Sequence, residues 1–277
     1  MAIAILAGVT GQAWFAIVQY FGRGFAGWQR QPADRTVQGE IETALERLAG
    51  ARVVCHAAGR TDAGVHALGQ VVSFDLARAW DAVELGRALN ALLPADVWVA
   101  RTGPAPAGFH ARKDAVARRY RYVVGCDPAA ASPFRRPFEW ALGRPLDGRA
   151  LDAAALAFRG THDFRAFSAT GQVKPHYRCA VQHVEWRARS DAEGFIFTIE
   201  ADRFLHRMVR FLVGMSVEIA LRRRPLDDIP RLLAGTDNQE ASPPAPPDGL
   251  YLMGARYPQL DLERDLGLCS SFSTPRI

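Results

Sequence analysis

The feature that most constrains the fold is the order of strand-like and helix-like segments in the first part of the chain. Short runs rich in β-branched and aromatic residues favour strands, and they alternate with segments whose apolar residues recur every three or four positions. Thr36 and Asp81 precede the two helical segments and are suited to cap them. The order β-α-β-β-α-β is that of a ferredoxin-like unit. The segments are residues 14–19, 36–48, 52–56, 70–75, 81–92 and 97–101.

A second set of segments with a similar order begins at residue 118, although the two sets share no sequence repeat. We therefore predict an α+β fold with two ferredoxin-like halves, residues 14–115 and 116–258, and extensions at 1–13 and 259–277. Residues 160–164 are predicted to form a turn. The second set comprises strands at 118–125, 178–189, 195–202 and 249–257, and helices at 147–159, 205–221 and 226–234.

The composition is that of a soluble globular chain, since 49% of the 277 residues are hydrophobic and 23% are charged. This excludes collagen-like, coiled-coil and wholly disordered proteins. No apolar run approaches the ~20 residues that a membrane span needs, so we expect no membrane association. The N-terminal apolar run at residues 2–9 is short and lacks a basic leader, so we expect no signal peptide.

Basic residues outnumber acidic residues by 34 to 29, and all but Lys113 and Lys174 are arginines. Guanidinium groups bind phosphate and stack on bases, so these arginines suit a nucleic-acid partner, although biased codon usage would give the same excess. The four cysteines lie far apart, and neither they nor the histidines have metal-ligand spacing. We therefore expect no metal site, no disulfide bond and a reducing, cytoplasmic location.

The most unusual segment is the run Gly-Arg-Thr-Asp-Ala-Gly-Val-His-Ala at residues 59–67. It is not a Walker loop, because no Gly-Lys-Ser/Thr follows it. One interpretation is a structural turn in which Asp62 accepts hydrogen bonds from nearby amides. The other is a carboxylate held near a cation, which stays ionised at neutral pH and can act as a nucleophile or base. The loop alone leaves both interpretations open.

A second segment combines basic and aromatic residues on the strand predicted at 118–125. Side chains alternate between the two faces of a strand, so Arg118 and Tyr120 share one face and Arg119 and Arg121 share the other. Basic groups beside aromatic rings suit a stacked base flanked by phosphates. An exposed strand with packed tyrosines is the alternative.

The helix predicted at 205–221 is apolar on nearly all sides, yet it contains Arg210. A buried guanidinium is costly unless it pairs with a carboxylate, so we expect Arg210 to reach an acidic partner, with Asp62 as the leading candidate. His206 and Arg207 lie one turn earlier and are expected to face solvent or phosphate.

These segments resemble the TruA-type tRNA pseudouridine synthases, in the same order, from about Phe15 to Tyr257. The run at residues 59–67 is the most specific match. Phe21 departs from the resemblance, because the family usually has an acidic residue at that position. The other matching segments are residues 25–31, 36–40, 89–94, 109–112, 118–122, 160–164, 204–210 and 249–252.

The resemblance implies two ferredoxin-like halves joined in one mostly antiparallel sheet with a central cleft. It also implies a homodimer that needs neither cofactor nor metal and acts on uridines 38 to 40 in the anticodon arm of tRNA. Pseudouridine formation breaks the uracil–ribose bond and rejoins the ring through carbon without losing a group. The target base must first leave its stack.

The resemblance implies roles for five residues as well. Asp62 matches the catalytic aspartate, and Arg60 matches an arginine linked to moving the target base. Tyr120 matches the tyrosine that stacks on the base, Arg210 matches the partner of the aspartate, and Leu250 falls in an apolar pocket-lining segment. The basic residues expected to contact RNA are Arg112, Arg118, Arg119, Arg121 and Arg207.

Several alternatives stay open at this point. Asp62 can act by covalent attack or by removing a proton from the ribose. The chain can also be a catalytically inactive tRNA-binding protein or chaperone, a synthase with other RNA targets, or a nucleosidase that uses Asp62. The matching set of Asp62, Tyr120 and Arg210 favours an active synthase.

Overall fold

The computed structural model describes residues 11–169, 176–235, 237 and 239–262. Within these residues, ten strands form one sheet and five α-helices accompany it. The strands are β1 Gln12–Tyr20, β2 His56–Ala57, β3 His66–Leu76, β4 Val97–Pro104, β5 Ala117–Gly125, β6 Trp140–Ala141, β7 Gly160–Asp163, β8 Arg178–Ala188, β9 Gly194–Ala201 and β10 Leu250–Arg256. The helices are α1 Val37–Ala49, α2 Ala82–Leu92, α3 Gly148–Phe158, α4 Met208–Ala220 and α5 Asp228–Leu233.

The last strand joins the two parts of the sheet. The sheet order is β4-β1-β3-β10-β5-β9-β8-β7, with β2 also paired to β3 and β6 to β5. Neighbours along this path are antiparallel except β10, which runs parallel to β3. The predicted α+β class with one mostly antiparallel sheet is therefore confirmed. The proposed division at residues 115/116 falls between β4 and β5 and stays a prediction.

Local capping explains where the first two helices begin. The Thr36 hydroxyl accepts a hydrogen bond from Gly39 N at 3.3 Å, which satisfies one free amide at the start of α1. The Asp81 carboxylate does the same for α2, accepting from Val83 N and Glu84 N at 2.9 and 3.0 Å. Both predicted helices are confirmed, because their start signals lie next to them in the sequence.

The two faces of the sheet have different coverings. Alternate residues of β1 point to opposite faces: Trp14 packs in the core shared with the helices, whereas Phe15 and Ile17 pack in a separate cluster. That smaller cluster is completed by Phe109 and Tyr257. The helix-side core includes Ile41 and Leu45 of α1, Leu85 and Leu89 of α2, Leu151 of α3 and Leu212 of α4.

The strand predicted at 52–56 is largely absent, since only His56 and Ala57 pair with β3. Side chains of α1 bind the preceding backbone instead. Cys55 N donates to Glu42 Oε1 at 3.2 Å, and the Gln38 amide donates to Cys55 O at 3.3 Å. These buried polar contacts replace a strand ladder.

Two other predictions differ from the structure. Residues 160–163, predicted as a turn, form β7, which pairs with β8. Helix α4 begins at Met208 rather than residue 205, because Arg207 adopts a left-handed conformation with φ of 60°. The predicted extensions 1–13 and 259–277 lie largely outside the described residues. In the described part of the chain, no helix is long and apolar enough to cross a bilayer.

Candidate active site

Asp62 lies in the loop between β2 and β3, and its neighbours in sequence are firmly held. Trp28 N donates to Thr61 O at 3.0 Å. The Thr61 hydroxyl lies 2.8 Å from the Tyr20 hydroxyl in a buried hydrogen bond. Burial raises the pKa of Tyr20 to about 12, so this hydroxyl stays protonated at neutral pH. These contacts fix the backbone that carries the Asp62 carboxylate.

A close backbone approach also fixes the loop at Gly27. This residue has a φ of +104°, and a Cβ added there would lie 2.8 Å from Thr61 O. Glycine alone tolerates both the conformation and the contact. The segment around Trp28 can therefore lie directly against the chain next to Asp62.

Arg210 on α4 reaches Asp62, as the sequence predicts. Its Nη1 donates to Asp62 Oδ2 at 3.3 Å, and its Nε donates to Ala245 O at 2.6 Å. The Arg210 side chain is 12% exposed and that of Asp62 is 20% exposed. The main-chain contact anchors the guanidinium, so the cation is held in place independently of the carboxylate.

His206 contacts the other oxygen of the same carboxylate. Its Nε2 lies 3.4 Å from Asp62 Oδ1, and the imidazole is about half exposed. His206 therefore faces solvent, as expected, and in addition contacts Asp62, which was not predicted from the sequence. His206 precedes α4 and the left-handed residue Arg207, so helical spacing does not predict this contact and the sequence carries no signal for it.

Tyr120 on β5 lies on the helix side of the sheet and is buried. Its ring meets Phe204 edge-to-face, with 5.0 Å between centroids. Burial raises the pKa of Tyr120 above its ordinary value, and the nearby Asp62 carboxylate raises it further. A Cβ added at Gly59 would lie 3.5 Å from the Tyr120 hydroxyl, so this side chain reaches the loop that carries Asp62.

Leu250 begins β10 and is buried opposite Tyr122 in the pairing with β5. The Tyr122 hydroxyl donates to Pro246 O at 2.8 Å, which ties β5 to the segment before β10. Leu250 thus lies one strand away from Tyr120. The structure brings together three predicted residues, namely Asp62, Arg210 and Tyr120, and Leu250 lies on the strand next to that of Tyr120.

The predicted RNA-contacting arginines fall into two groups. Arg112 and Arg207, like Arg60, are exposed. Arg118 instead donates to main-chain oxygens of four residues, including Ala58 at 3.1 Å. Arg119 lies 2.7 Å from a Glu200 carboxylate oxygen, and Arg121 is buried. RNA contact by any of these arginines stays a prediction.

No group of three or more His, Cys, Asp or Glu side chains within the described ranges could hold a metal ion. A partly exposed carboxylate between a buried guanidinium and an imidazole can act as a nucleophile or as a base. A buried, protonated tyrosine lies beside it. The fold is of the α+β class, and the site it carries is typical of an enzyme.

Comparison with known proteins identifies the family. A family model described as tRNA pseudouridine synthase matches residues 16–112 and 154–258. The tRNA pseudouridine synthase A of Moorella thermoacetica is 40% identical over 240 residues, covering 86% of this chain and 96% of that protein. That of Cupriavidus taiwanensis is 39% identical over 249 residues, covering 87% and 89%. The chain belongs to the tRNA pseudouridine synthases, a family of isomerases that act on uridine in tRNA.

Proposed function

We propose that this protein isomerises uridine to pseudouridine at positions 38, 39 and 40 of the tRNA anticodon stem-loop, with Asp62 as the catalytic residue. The observation that carries the assignment is the Asp62 carboxylate, which is partly exposed and lies 3.3 Å from the anchored Arg210 guanidinium. A carboxylate that is both accessible and held in place can act as a nucleophile or as a base.

The reaction needs no co-reactant. The bond between uracil N1 and ribose C1′ breaks, and a bond between uracil C5 and C1′ forms. C5 loses one proton and N1 gains one, so atoms and electrons balance. The uridine must leave its stack to reach the protein, and Asp62 then acts on its ribose or on the uracil ring.

The remaining roles follow from position. Tyr120 supplies a protonated aromatic ring beside Asp62 on which the uracil can stack while detached. Leu250 supplies apolar surface one strand away, and the family resemblance supports a role for Arg60, which is exposed, in guiding the base out of the RNA stem. Arg112 and Arg207 are suited to phosphate contact. Arg118, Arg119 and Arg121 are expected to do the same, although the contacts of Arg118 and Arg119 and the burial of Arg121 favour support of the sheet.

Tritium release tests the assignment of Asp62. With tRNA labelled at uracil C5, the wild-type protein should release tritium, and Asp62→Asn should reduce the rate by at least about 10³-fold. Binding of tRNA should be retained, since the carboxylate does not attract phosphate. Asp75→Asn, at an exposed carboxylate near the end of β3, is the matched control and should be fully active.

Mapping pseudouridine in the same tRNA distinguishes the alternatives. Product at 38, 39 or 40 supports the proposal, and product elsewhere indicates a synthase with other targets. Tight tRNA binding by the wild-type protein without any product indicates the inactive tRNA-binding protein or chaperone. Normal tritium release by Asp62→Asn contradicts the role of Asp62.

We also propose a homodimer in the cytoplasm. The family resemblance supports both statements. Sedimentation of the wild-type protein should give twice the chain mass. A monomeric wild-type protein contradicts the proposal.

A further inference from the structure

The two oxygens of the Asp62 carboxylate face different partners in different environments. Oδ2 meets the Arg210 guanidinium, which is 12% exposed. Oδ1 meets the His206 imidazole, which is 54% exposed. One oxygen is therefore held on the buried side of the site, and the other is held on the side open to solvent.

The backbone of His206 is fixed, so the contact follows from the fold. Ala169 N donates to His206 O at 3.0 Å, and Met208 N donates to Leu205 O at 3.1 Å. The next residue, Arg207, takes a left-handed conformation that places His206 just before α4. Among the described residues, Asp62 is the partner toward which the imidazole is directed.

A carboxylate held at one oxygen can still rotate about its Cβ–Cγ bond, because this torsion has a broad energy minimum. A second contact at the other oxygen restricts that rotation. We infer that His206 is a positioning residue that, together with Arg210, fixes the plane of the Asp62 carboxylate for its reaction with uridine. This inference rests on the proposed function.

The length of the contact agrees with this role. At 3.4 Å, the distance from Nε2 to Oδ1 is longer than the roughly 2.7–3.2 Å of a formed N–H···O hydrogen bond. Catalytic hydrogen bonds are often long in ligand-free enzymes and tighten when substrate excludes water. A bound uridine would cover the exposed side of His206 and shorten its contact with Oδ1. His206 therefore acts through Asp62 on the catalytic step rather than on RNA affinity.

Two substitutions separate this role from other roles. His206→Leu keeps the side-chain bulk but removes the donor, and His206→Gln restores an N–H donor near the position of Nε2. We expect His206→Leu to lower kcat about 10-fold with KM for tRNA unchanged, because a small displacement of a reacting group is enough for such a loss. His206→Gln should recover most of kcat.

His183 provides the matched control. It is 50% exposed and its Nε2 also lies 3.4 Å from a carboxylate, that of Glu185 on the same strand. His183→Leu should leave kcat and KM unchanged, and circular dichroism should show all three variants folded. Should His183→Leu lower kcat as much as His206→Leu does, the loss would reflect a general effect and the inference would be wrong.

Three other outcomes overturn the inference. A raised KM with normal kcat in His206→Leu assigns the residue to phosphate contact. Full activity of His206→Leu gives it no role, and failure of His206→Gln to recover kcat shows that the donor is not what matters. Failure of the proposed function is distinct, because then the wild-type protein forms no pseudouridine or Asp62→Asn stays active.

Discussion

Two groups of charged residues in this protein show how a structural ion pair differs from the one that we propose to be catalytic. The first is the Asp62 site. The second, here called the Glu139 cluster, comprises Asp127, Arg135, Glu139, Arg189 and Asp191. Both groups contain a buried arginine, since the Arg189 side chain is 6% exposed.

Contacts in the Glu139 cluster are short and often two-pronged. Arg135 binds both oxygens of Asp127 at 2.8 and 3.0 Å, and Arg189 binds both oxygens of Asp191 at 3.0 and 2.9 Å. Hydrogen bonds from these arginines hold the pKa of Asp127 and the pKa of Asp191 below their usual range. Glu139 lies between the two guanidinium groups and contacts both.

Contacts at the Asp62 site are longer, at 3.3 and 3.4 Å, and the strongest bond of Arg210 goes to a main-chain oxygen rather than to Asp62. The carboxylate is oriented, but its lone pairs are not saturated. The carboxylates of the Glu139 cluster are therefore matched by several short contacts, whereas Asp62, the proposed catalytic residue, is held by an arginine that is itself anchored to the main chain.

The largest effect should come from Arg210→Ala, which removes the buried partner of Asp62. We expect pseudouridine formation to fall by about 10²–10³-fold, because the carboxylate loses its orientation and its charge partner. Single-turnover assays with excess enzyme measure this rate directly. A loss of less than about threefold would mean that the contact with Asp62 is not needed.

Arg189→Leu is the corresponding change in the Glu139 cluster. Removing one member of a buried ion pair costs about 3–5 kcal/mol of unfolding free energy, because Glu139 is left buried with a weaker partner set. Urea denaturation should show this loss, while kcat of the remaining folded protein should be unchanged. A lowered kcat with normal stability would contradict the assignment of the Glu139 cluster to stability rather than to catalysis.

Gly27→Ala should have a smaller effect, on both stability and activity. The added Cβ would lie 2.8 Å from Thr61 O at a φ of +104°, and such strain costs about 1–3 kcal/mol. We expect kcat to fall about 10-fold because the Asp62 loop shifts. Gly50→Ala is the control, since Gly50 also has a positive φ but its Cβ would contact nothing within 4 Å. It should lower stability and leave kcat unchanged.

The smallest effect should be seen in the pH dependence of the unfolding free energy, to which the two regions contribute at different pH values. His66 ends the Asp62 loop, and burial lowers its pKa below the ordinary value of 6.5. The unfolded chain then binds more protons, so the unfolding free energy should fall as pH drops below about 6.5. Asp127 and Asp191 contribute to the unfolding free energy above their unfolded pKa of about 3.9. This contribution is lost only as the pH falls below that value.

Thermal unfolding between pH 7.5 and 3 measures both steps. His66→Gln, which keeps an amide donor and acceptor, should remove part of the decline near pH 6 and leave the decline below pH 4. A wild-type melting temperature that is constant from pH 7.5 to 5 would contradict the first step. Gly22 N donates a hydrogen bond to His66 Nδ1 at 3.0 Å. Because this nitrogen must accept, the folded protein requires the neutral imidazole.

The parts of the fold that the sequence predicts are those with local signals. Helices α1 and α2 start at capping residues that can be read directly, and β5 was found from its alternating pattern. The strand β7 was missed because its hydrogen bonds come from β8, more than ten residues further along the chain. The segment before His56 was misread because Glu42 and Gln38 bind its backbone from α1.

The predictions for the site divide in the same way, into contacts that the sequence signals and contacts that it does not. The pairing of Asp62 with Arg210 was predicted because a buried guanidinium needs a carboxylate partner. That argument requires only that Arg210 is buried, and no knowledge of the geometry. The contact of His206 depends on the left-handed turn at Arg207, which no residue type signals. The placement of Arg118 against main-chain oxygens likewise depends on loops that are distant in sequence.

The position of β10 has a consequence for biosynthesis. Its residues, Leu250–Arg256, come after the other strands that the structure describes, yet they fill the gap between β3 and β5. A nascent chain therefore leaves the ribosome with two unfilled strand edges, those of β3 and β5, until residues 250–256 have been synthesised. Interrupted translation products would expose both edges, and such chains are prone to pair with one another rather than persist as partly active enzymes.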